Sequence, residues 1–515
     1  MYSKRVKPSI ELPGALALAI ALTLSTYTRA QFVFDSGSSG IDGPLSPQQN
    51  VVIDLNSKPD GIFNYTDITI PAGVTVSFIN NLANTPVIWL ASGAVQIDGV
   101  VDINGENGHH ETGPFLMSKP GPGGFPGGTA EINDSSFLGG FGPGGGGRDA
   151  TLAGAGSFGS AGQDTIPGAQ YGNIFLFPLI GGSGGAGGFP PAPSLNGGGG
   201  GGAGGGAILV ASSISITVNG SILARGGDNL RSFSNSAAGK GGSGGAIRLI
   251  ANAIYGQGAL DTLGGLNANG NRGRAGQGRV RIEAFQLPSE LVIIGPTTMS
   301  SPGPIFPPSN APTITATMVG AQVLIDPKGN ILGQPDAEIA SIDPVQIQIE
   351  AQFVPVGTTI TVRVAPTTDV PFEVTSTPLA GTFEQSVATA DITFPPGDNE
   401  VTLRTEFAPG GGSGADLGPN RKSDSKHARR DDIGTSPSSG TFSRLGGWLD
   451  RSIAALTAHR GAMNSPADPS AQNQPMMING EPIERVEVLS AGDAVGTQVV
   501  YVARSGIRHH IPSPR

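Results

Sequence analysis

The sequence contains no cysteine. This absence excludes a disulfide framework, a cysteine-ligated zinc or iron–sulfur site, and a cysteine nucleophile. Charged residues make up only 14% of the chain and aromatic residues 6%, whereas hydrophobic residues reach 37%. Low charge with this hydrophobic content argues against wholesale disorder. The chain must therefore obtain its stability from backbone hydrogen bonds and apolar packing.

Glycine is abundant: it supplies 82 of the 515 residues, and proline supplies 42. The glycines occur in runs and not at every third position, so a collagen triple helix is not predicted. Ordering glycine costs more backbone entropy than ordering any other residue. Residues 197–202 and 204–206 are therefore predicted to form a mobile or loosely packed excursion. The alternative is a packed bundle of polyproline-II-like segments, and the apolar insert at 173–180 is predicted to anchor the excursion.

The N-terminus has the pattern of a secretory signal. Lys4, Arg5 and Lys7 precede an apolar run at residues 15–24, which is too short to span a bilayer. Cleavage is predicted before Gln31, with an uncleaved anchor as the alternative. No later apolar run is long enough to cross a membrane, so no membrane span is predicted after signal cleavage. The predicted location is secreted, at the bacterial cell surface or in the periplasm.

The charge balance argues against one class of partner. The formal net charge is −10, and removal of residues 1–30 makes it −13 because four basic residues and one acidic residue are lost. A nucleic-acid-binding domain carries a basic surface, so no nucleic-acid partner is predicted.

An internal repeat carries most of the information about the fold. Residues 207–229 read AILVASSISITVNGSILARGGDN, and residues 246–265 repeat the pattern as AIRLIANAIYGQGALDTLGG. Residues 87–108 align with the first copy, and residues 278–284 are a truncated copy. Each full copy has an alternating apolar strand, a second short strand, an Asn-Gly, Asp-Gly or Gln-Gly turn, and a third short strand. Repetition of this kind is typical of stacked repeat architectures.

The apolar residues of the copies alternate with other residues, which is the periodicity of a β-strand. One copy cannot bury its own apolar face, so equivalent positions are expected to stack into ladders. A flat antiparallel sheet or a large sandwich is the alternative. The turn pairs Asp98-Gly99, Asn219-Gly220 and Gln257-Gly258 are predicted to supply a positive φ. The ladder positions are Ile208, Val210, Ile247, Leu249, Val280 and Ile282.

The predicted organisation is all-β with five parts. The signal peptide is 1–30, and 31–295 is a right-handed parallel β-helix or β-solenoid with Gly-rich insertions. Residues 296–311 are a Pro-rich linker. Residues 312–408 contain alternating runs separated by turns, which predicts an immunoglobulin-like β-sandwich. Residues 409–515 are expected to be a largely disordered C-terminal tail, with an amphipathic helix pattern at 442–459.

Residues able to carry chemistry are sparse. The pairs His109-His110 and His509-His510 lack the HExxH spacing of zinc proteases. Asp98 and Asp102 in the first copy have no acidic counterparts in the second, so they are not a repeated carboxylate pair. No catalytic residue, no metal site and no cofactor is predicted.

One basic segment remains. Residues 221–285 contain eight basic and three acidic residues on an acidic protein. Arg225, Arg248, Arg279 and Arg281 are therefore a candidate binding set for an acidic glycan. Arg248 and Arg281 occupy equivalent, outward positions in their copies and are expected to form a ladder. The alternative is a solvated face that discourages edge pairing.

The strings NGSILARGG (219–227), GGSGGAIRLIA (241–251) and GQGRVRIEA (276–284), with upstream segments at 34–40 and 59–78, resemble a group of secreted, glycine-rich bacterial proteins with parallel β-helix-like repeats. This group has no assigned activity. The fold is also similar to pectin-lyase-like β-helices, which implies an extracellular polysaccharide context. The lyase pattern of clustered Asp residues with a catalytic Arg or Lys is not located here.

The function expected from the sequence is that of a secreted or cell-surface, non-enzymatic structural or adhesive protein. The alternative is an extracellular carbohydrate-binding or polysaccharide-cleaving β-helix protein that acts on acidic glycans. An ice- or mineral-facing surface ranks lower, because the repeats lack regular threonine rows. The expected partners are extracellular polysaccharides or cell-surface components.

Overall fold

The fold is described from a computed structural model. It covers residues 33–109, 117–129, 139–148, 152–188, 198–229, 238–267, 273–288, 290–307, 311–325, 327, 329–367, 369–407, 477–478, 481–490, 497–503 and 508–509. This part of the chain is all-β and contains no α-helix, only a short 3₁₀ turn at Leu55–Ser57. The predicted signal peptide and the amphipathic pattern at 442–459 lie outside the described residues.

Two parallel sheets are built from residues 51–300, and the chain alternates between them. The larger sheet contains β2 (Ile62–Tyr65), β3 (Ile68–Ile70), β5 (Val87–Ala91), β6 (Val95–Ile97), β8 (Ala207–Val218), β10 (Ala246–Tyr255), β12 (Arg279–Gln286) and β14 (Thr297–Ser300). The smaller sheet contains β1 (Val51–Asp54), β4 (Thr75–Ile79), β7 (Val100–Asp102), β9 (Ser221–Leu223), β11 (Ala259–Asp261) and β13 (Val292–Ile294), in the order β1-β4-β7-β9-β11-β13. β14 lies inside the segment predicted as linker.

The predicted ladders are confirmed by the register. Ile208 pairs with Ile247, and Ile247 pairs with Val280. Val210, Leu249 and Ile282 form the next row in the same way. All these side chains are buried in one core between the two sheets. The stacking of like residues removes from water the apolar face that a single copy would expose.

The predicted role of the turn glycines is wrong. Gly99, Gly220 and Gly258 do not have a positive φ. They are needed because successive copies approach closely: a Cβ on Gly220 would lie 1.8 Å from the carbonyl oxygen of Gly99, and one on Gly258 would lie 2.1 Å from that of Gly220. Stacking, and not turn geometry, selects glycine at this corner.

The glycine-rich segments are packed, so the prediction of a loose excursion is wrong. We call the described parts of 103–206, together with 224–229 and 238–245, the glycine bundle. Residues 198–206 are all buried, and the amides of 200–207 donate to three different neighbouring segments. Gly201, Gly204 and Ala207 donate to segment 122–128, Gly200, Ala203 and Gly206 donate to segment 103–109, and Gly202 and Gly205 donate to segment 240–243.

The donors that reach one neighbour are therefore three residues apart. Three residues per turn is the period of polyproline II, whose backbone forms no internal hydrogen bonds and can bond to neighbouring segments. This is the alternative that the sequence had left open. No side chain fits at Gly204 in this packing, since a Cβ there would lie 1.9 Å from the carbonyl oxygen of Gly182.

The apolar insert fixes the glycine bundle to the larger sheet, as predicted. Leu176, Leu179 and Ile180 are buried against the outer face of that sheet, where Leu209 and Ile250 also lie. The larger sheet is thus covered on both faces, by the inter-sheet core on one side and by the glycine bundle on the other.

Residues 313–407 form antiparallel sheets around a second apolar core, and we call them the second domain. The strands expected from the alternating runs are present. They are β15 (Thr313–Val319), β16 (Gln322–Val323), β17 (Val345–Gln352), β18 (Ile360–Pro366), β19 (Phe372–Thr375), β20 (Ala380–Gly381), β21 (Ser386–Ile392) and β22 (Asn399–Phe407).

Four further strands lie within the segment that was expected to be largely disordered. β24 pairs with β22, so part of the C-terminal segment extends the second domain's sheet. The strands are β23 (Met477–Ile478), β24 (Glu481–Ser490), β25 (Thr497–Ala503) and β26 (Arg508–His509).

Candidate functional site

The ladder of Arg248 and Arg281 exists, but it is not exposed. The two residues are paired in register on β10 and β12, as the repeat alignment predicts. Their neighbours Ile247 and Leu249 point into the inter-sheet core, so both arginines point to the opposite face. That face is covered by the glycine bundle, and Arg248 is only 1% exposed. The expectation of a solvent-facing arginine ladder is therefore wrong.

Both arginines bind one carboxylate, and we call this group the Arg248–Glu283–Arg281 cluster. Oε1 of Glu283 accepts hydrogen bonds from Nε of Arg248 at 2.8 Å and from Nε of Arg281 at 2.6 Å. Its Oε2 accepts the amide of Gly303 at 2.8 Å. Glu283 is fully buried. A buried carboxylate of this kind requires such partners to offset its desolvation.

The remaining guanidinium nitrogens bind chain segments that pass over the sheet. Arg248 donates to the carbonyls of Ile305 at 2.9 Å and Pro304 at 2.7 Å. Arg281 donates to the carbonyl of Ile174 at 3.1 Å and to Oγ of Ser300 at 3.0 Å. The cluster therefore links two strands of the sheet to the insert and to the segment after β14.

Two aromatic rings of the insert complete the cluster. The guanidinium carbon of Arg248 lies 4.2 Å from the ring centre of Phe177, and that of Arg281 lies 4.7 Å from the ring centre of Phe175. These distances are in the range of cation–π interactions, which are stronger when water is excluded. The anchoring residues at 173–180 thus include two phenylalanines that cover the charges.

The electrostatics of the cluster favour the ion pairs. Burial on its own would raise the pKa of Glu283, but the attraction of Arg248 and then of Arg281 outweighs it, so the pKa lies below its ordinary value. Burial lowers the pKa of Arg248, and Glu283 opposes this shift. The cluster contains two cations and one anion, so Glu283 is the group that offsets the cost of burying both arginine charges.

The other two predicted arginines lie apart from this cluster. Arg225 donates through Nε at 2.7 Å and through Nη2 to Oδ2 of Asp261, a buried carboxylate. The side chain of Arg225 is nevertheless 51% exposed. Arg279 is partly buried against Gly159, and burial lowers its pKa to about 10. Its Nε has no hydrogen-bond partner among the residues that the structure describes. The structure therefore brings Arg248 and Arg281 together and leaves Arg225 accessible.

Sequence reasoning missed Glu283, which it counted only as an acidic residue. The signal was present, because Arg279, Arg281 and Glu283 alternate along one strand and so share one face. The contribution of Phe175 and Phe177 was not visible, since it depends on how the insert folds back over the sheet.

The histidine and carboxylate patterns do not form a metal centre in the described residues. Nε2 of His109 lies 3.1 Å from Oε2 of Glu106, and no third ligand accompanies them within the described part of the chain. Among the described residues, no helix has the length and apolarity needed to cross a membrane.

A further buried carboxylate, Glu400, lies where β22 meets the glycine bundle. Glu400 of β22 accepts the amide of Gly142 at 2.9 Å, and Arg363 of β18 donates to the carbonyl of Gly142 at 3.3 Å. Burial raises the pKa of Glu400 to about 7, and the Gly142 amide and the charge of Arg363 reduce this shift. Glu400 also borders a cavity of ≈ 820 Å³ in the second domain. The described lining of this cavity includes no arginine or lysine.

Comparison of the chain with protein-family models, curated proteins and solved structures finds no match.

Proposed function

We propose that this protein is a secreted or cell-surface, non-enzymatic structural or adhesive protein. We further propose that residues 31–295 form a right-handed parallel β-solenoid and that an immunoglobulin-like sandwich follows it. The alternation of the chain between two parallel sheets supports the solenoid. The antiparallel sheets around a common core support the sandwich. The signal pattern at 1–30 supports secretion.

One observation carries the structural function: the residues best suited to ligand binding are used inside the protein. Arg248 and Arg281 neutralise Glu283 and hold the insert and the segment after β14 against the sheet. Charged side chains that bind internal partners stabilise the fold and do not offer their charge to an external ligand. A well-packed body built from stacked copies suits a structural or adhesive protein.

The test is to apply the purified full-length chain to immobilised extracellular polysaccharides and to measure both retention and the release of reducing ends. We expect retention, or self-association, without any release of reducing ends above a buffer blank. Catalytic depolymerisation of any polysaccharide in the panel would overturn the proposal.

Binding of an acidic glycan is a second candidate, because Arg225 keeps half of its side chain exposed. If this candidate is right, Arg225→Gln should weaken retention on an acidic polysaccharide by about 10-fold, the loss of one strong charged contact. Lys58→Gln is the control: Lys58 is a partly exposed cation that pairs with Asp42, and it lies far from Arg225 in the sequence. Equal retention of the wild type and Arg225→Gln would reject this candidate.

A further inference from the structure

The smaller parallel sheet ends in two strands that each have only one neighbour in the described residues. β1 pairs with β4, and β13 pairs with β11. An edge strand presents unpaired backbone N–H and C=O groups, which are a template for another strand. One outward residue of each edge strand is apolar and more than half exposed: Val52 is 57% exposed and Val292 is 54% exposed.

The described segments that cover the larger sheet do not cover these two edges. At the first end, Asp42 donates its backbone amide to the carbonyl of Asn64, and Leu45 bridges to Ile68, so residues 42–45 lie along β2 and β3. At the last end, the carbonyls of Pro304 and Ile305 bind Arg248, so the chain after β14 turns back over the outer face of the larger sheet. It then reaches Asn330, which donates to the carbonyl of Leu82.

The two open edges are also the two ends of one ladder. A single inward row runs through all six strands of the sheet, and each member is paired in register with the next. Its members are Val51, Val76, Val101, Ile222, Leu260 and Ile293. A strand that continues this sheet beyond Ile293 needs an apolar residue at the inward position, and Val51 is such a residue, with the β-branched side chain that strands favour.

We propose that β13 of one copy of this chain pairs in parallel with β1 of a second copy, so that the smaller sheet continues head to tail between molecules. The ladder fixes the register, with Ile293 of one copy beside Val51 of the next and Ile294 beside Val52. Each copy uses a different edge on each side, so the contact is heterologous and extends into chains of molecules. The inference rests on the sheet edges and does not depend on the proposed function.

Blocking each edge separately tests the proposal. Val52→Lys places a charge at the β1 edge and Val292→Lys places one at the β13 edge, and both positions are exposed in the single chain. Ser221→Lys is the matched control, because Ser221 lies in the same outward row as Val292 but on an inner strand of the sheet. The mass of the full-length chain is measured by sedimentation velocity from about 1 to about 200 µM, the range expected for a small interface.

We expect the wild type and Ser221→Lys to form concentration-dependent oligomers, and each edge variant to associate at least about 10-fold more weakly. A one-to-one mixture of the two edge variants should form dimers but nothing larger. The intact β13 edge of Val52→Lys can pair with the intact β1 edge of Val292→Lys, and the two edges left on that dimer both carry a lysine. Circular dichroism checks that each variant is folded. A monomeric wild type throughout this range would overturn the proposal. Oligomers that survive both edge variants, or a mixture that stays monomeric beside an oligomeric wild type, would overturn it as well.

Discussion

Replacement of Glu283 by Gln should show that the buried cluster holds the molecule together. The substitution keeps the shape of the side chain and removes its charge. Oε1 of Glu283 accepts from both Arg248 and Arg281, at 2.8 Å and 2.6 Å, so both arginines lose their only ion-pair partner in the cluster. Neither arginine can escape to water without displacing the insert, since Arg248 is 1% and Arg281 is 5% exposed.

The size of the effect follows from this geometry. Removing one partner of a buried ion pair costs about 3–5 kcal/mol, because the remaining charge stays desolvated. Here two cations are left, although carbonyls of Ile174, Pro304 and Ile305 still bind them. We therefore expect Glu283→Gln to lower the free energy of unfolding by about 3–5 kcal/mol, a large part of a typical total of about 5–15 kcal/mol.

Urea denaturation followed by the fluorescence of Trp89, which is buried in the inter-sheet core, measures this loss. The control is Lys58→Gln, which removes a partly exposed ion pair with Asp42 and should cost about 0–1 kcal/mol. The reasoning is refuted if Glu283→Gln is as stable as Lys58→Gln. The pKa of Glu283 is lowered, so its contribution is present above the ordinary carboxyl pKa and is lost as the pH falls through the pKa of the folded state.

Three further predictions follow from the packing. Gly204→Ala should lower the free energy of unfolding by about 3 kcal/mol or more, because its Cβ would collide with the Gly182 carbonyl. Gly73→Ala is the control: Gly73 has open space around it but a φ of +82°, so the substitution should cost about 1–2 kcal/mol, and equal urea midpoints for the two variants would contradict close packing. Burial raises the pKa of Glu400 to about 7, so the stabilisation from its neutral form is present below its ordinary pKa and is lost as the pH rises through about 7. The free energy of unfolding should therefore fall by about 2–3 kcal/mol between about pH 5 and about pH 8, and an unchanged pH dependence in Glu400→Gln would reject this assignment. Ile180→Ala should lower the free energy of unfolding by about 2–5 kcal/mol in the same urea assay, whereas Ile41→Ala at an exposed position should lower it by less than about 0.5 kcal/mol. Equal values would show that the insert does not anchor the glycine bundle.

The repeated part of the fold follows from local pattern. Strand alternation and repeat alignment place Ile208, Ile247 and Val280 in one row, and the register agrees. The same alignment pairs Arg248 with Arg281. Period-two alternation also locates the strands of the second domain, such as Val345–Gln352. These features depend on residues close together in the sequence, or on copies that resemble one another.

The covering of the arginines was not predictable in this way. Whether Arg248 faces water depends on residues 173–180 folding back across the sheet, and no repeat encodes that contact. The packing of the glycine runs does not follow from the entropy cost of ordering glycine, because hydrogen bonds from three neighbouring segments offset that cost. The three-residue period of these hydrogen bonds leaves no pattern in the sequence, because nearly every position in the run is glycine. It becomes visible only when the partners of each amide are known.

The packed glycine bundle is the central claim, and amide hydrogen exchange at residues 198–206 tests it most directly. Each amide from Gly200 to Gly206 donates to a carbonyl of another segment in the buried interior. We predict that these amides exchange as slowly as those of β8 and β10, because their opening requires the bundle to separate. Exchange at the rate of an unstructured glycine peptide, with β8 and β10 still protected, would contradict the account.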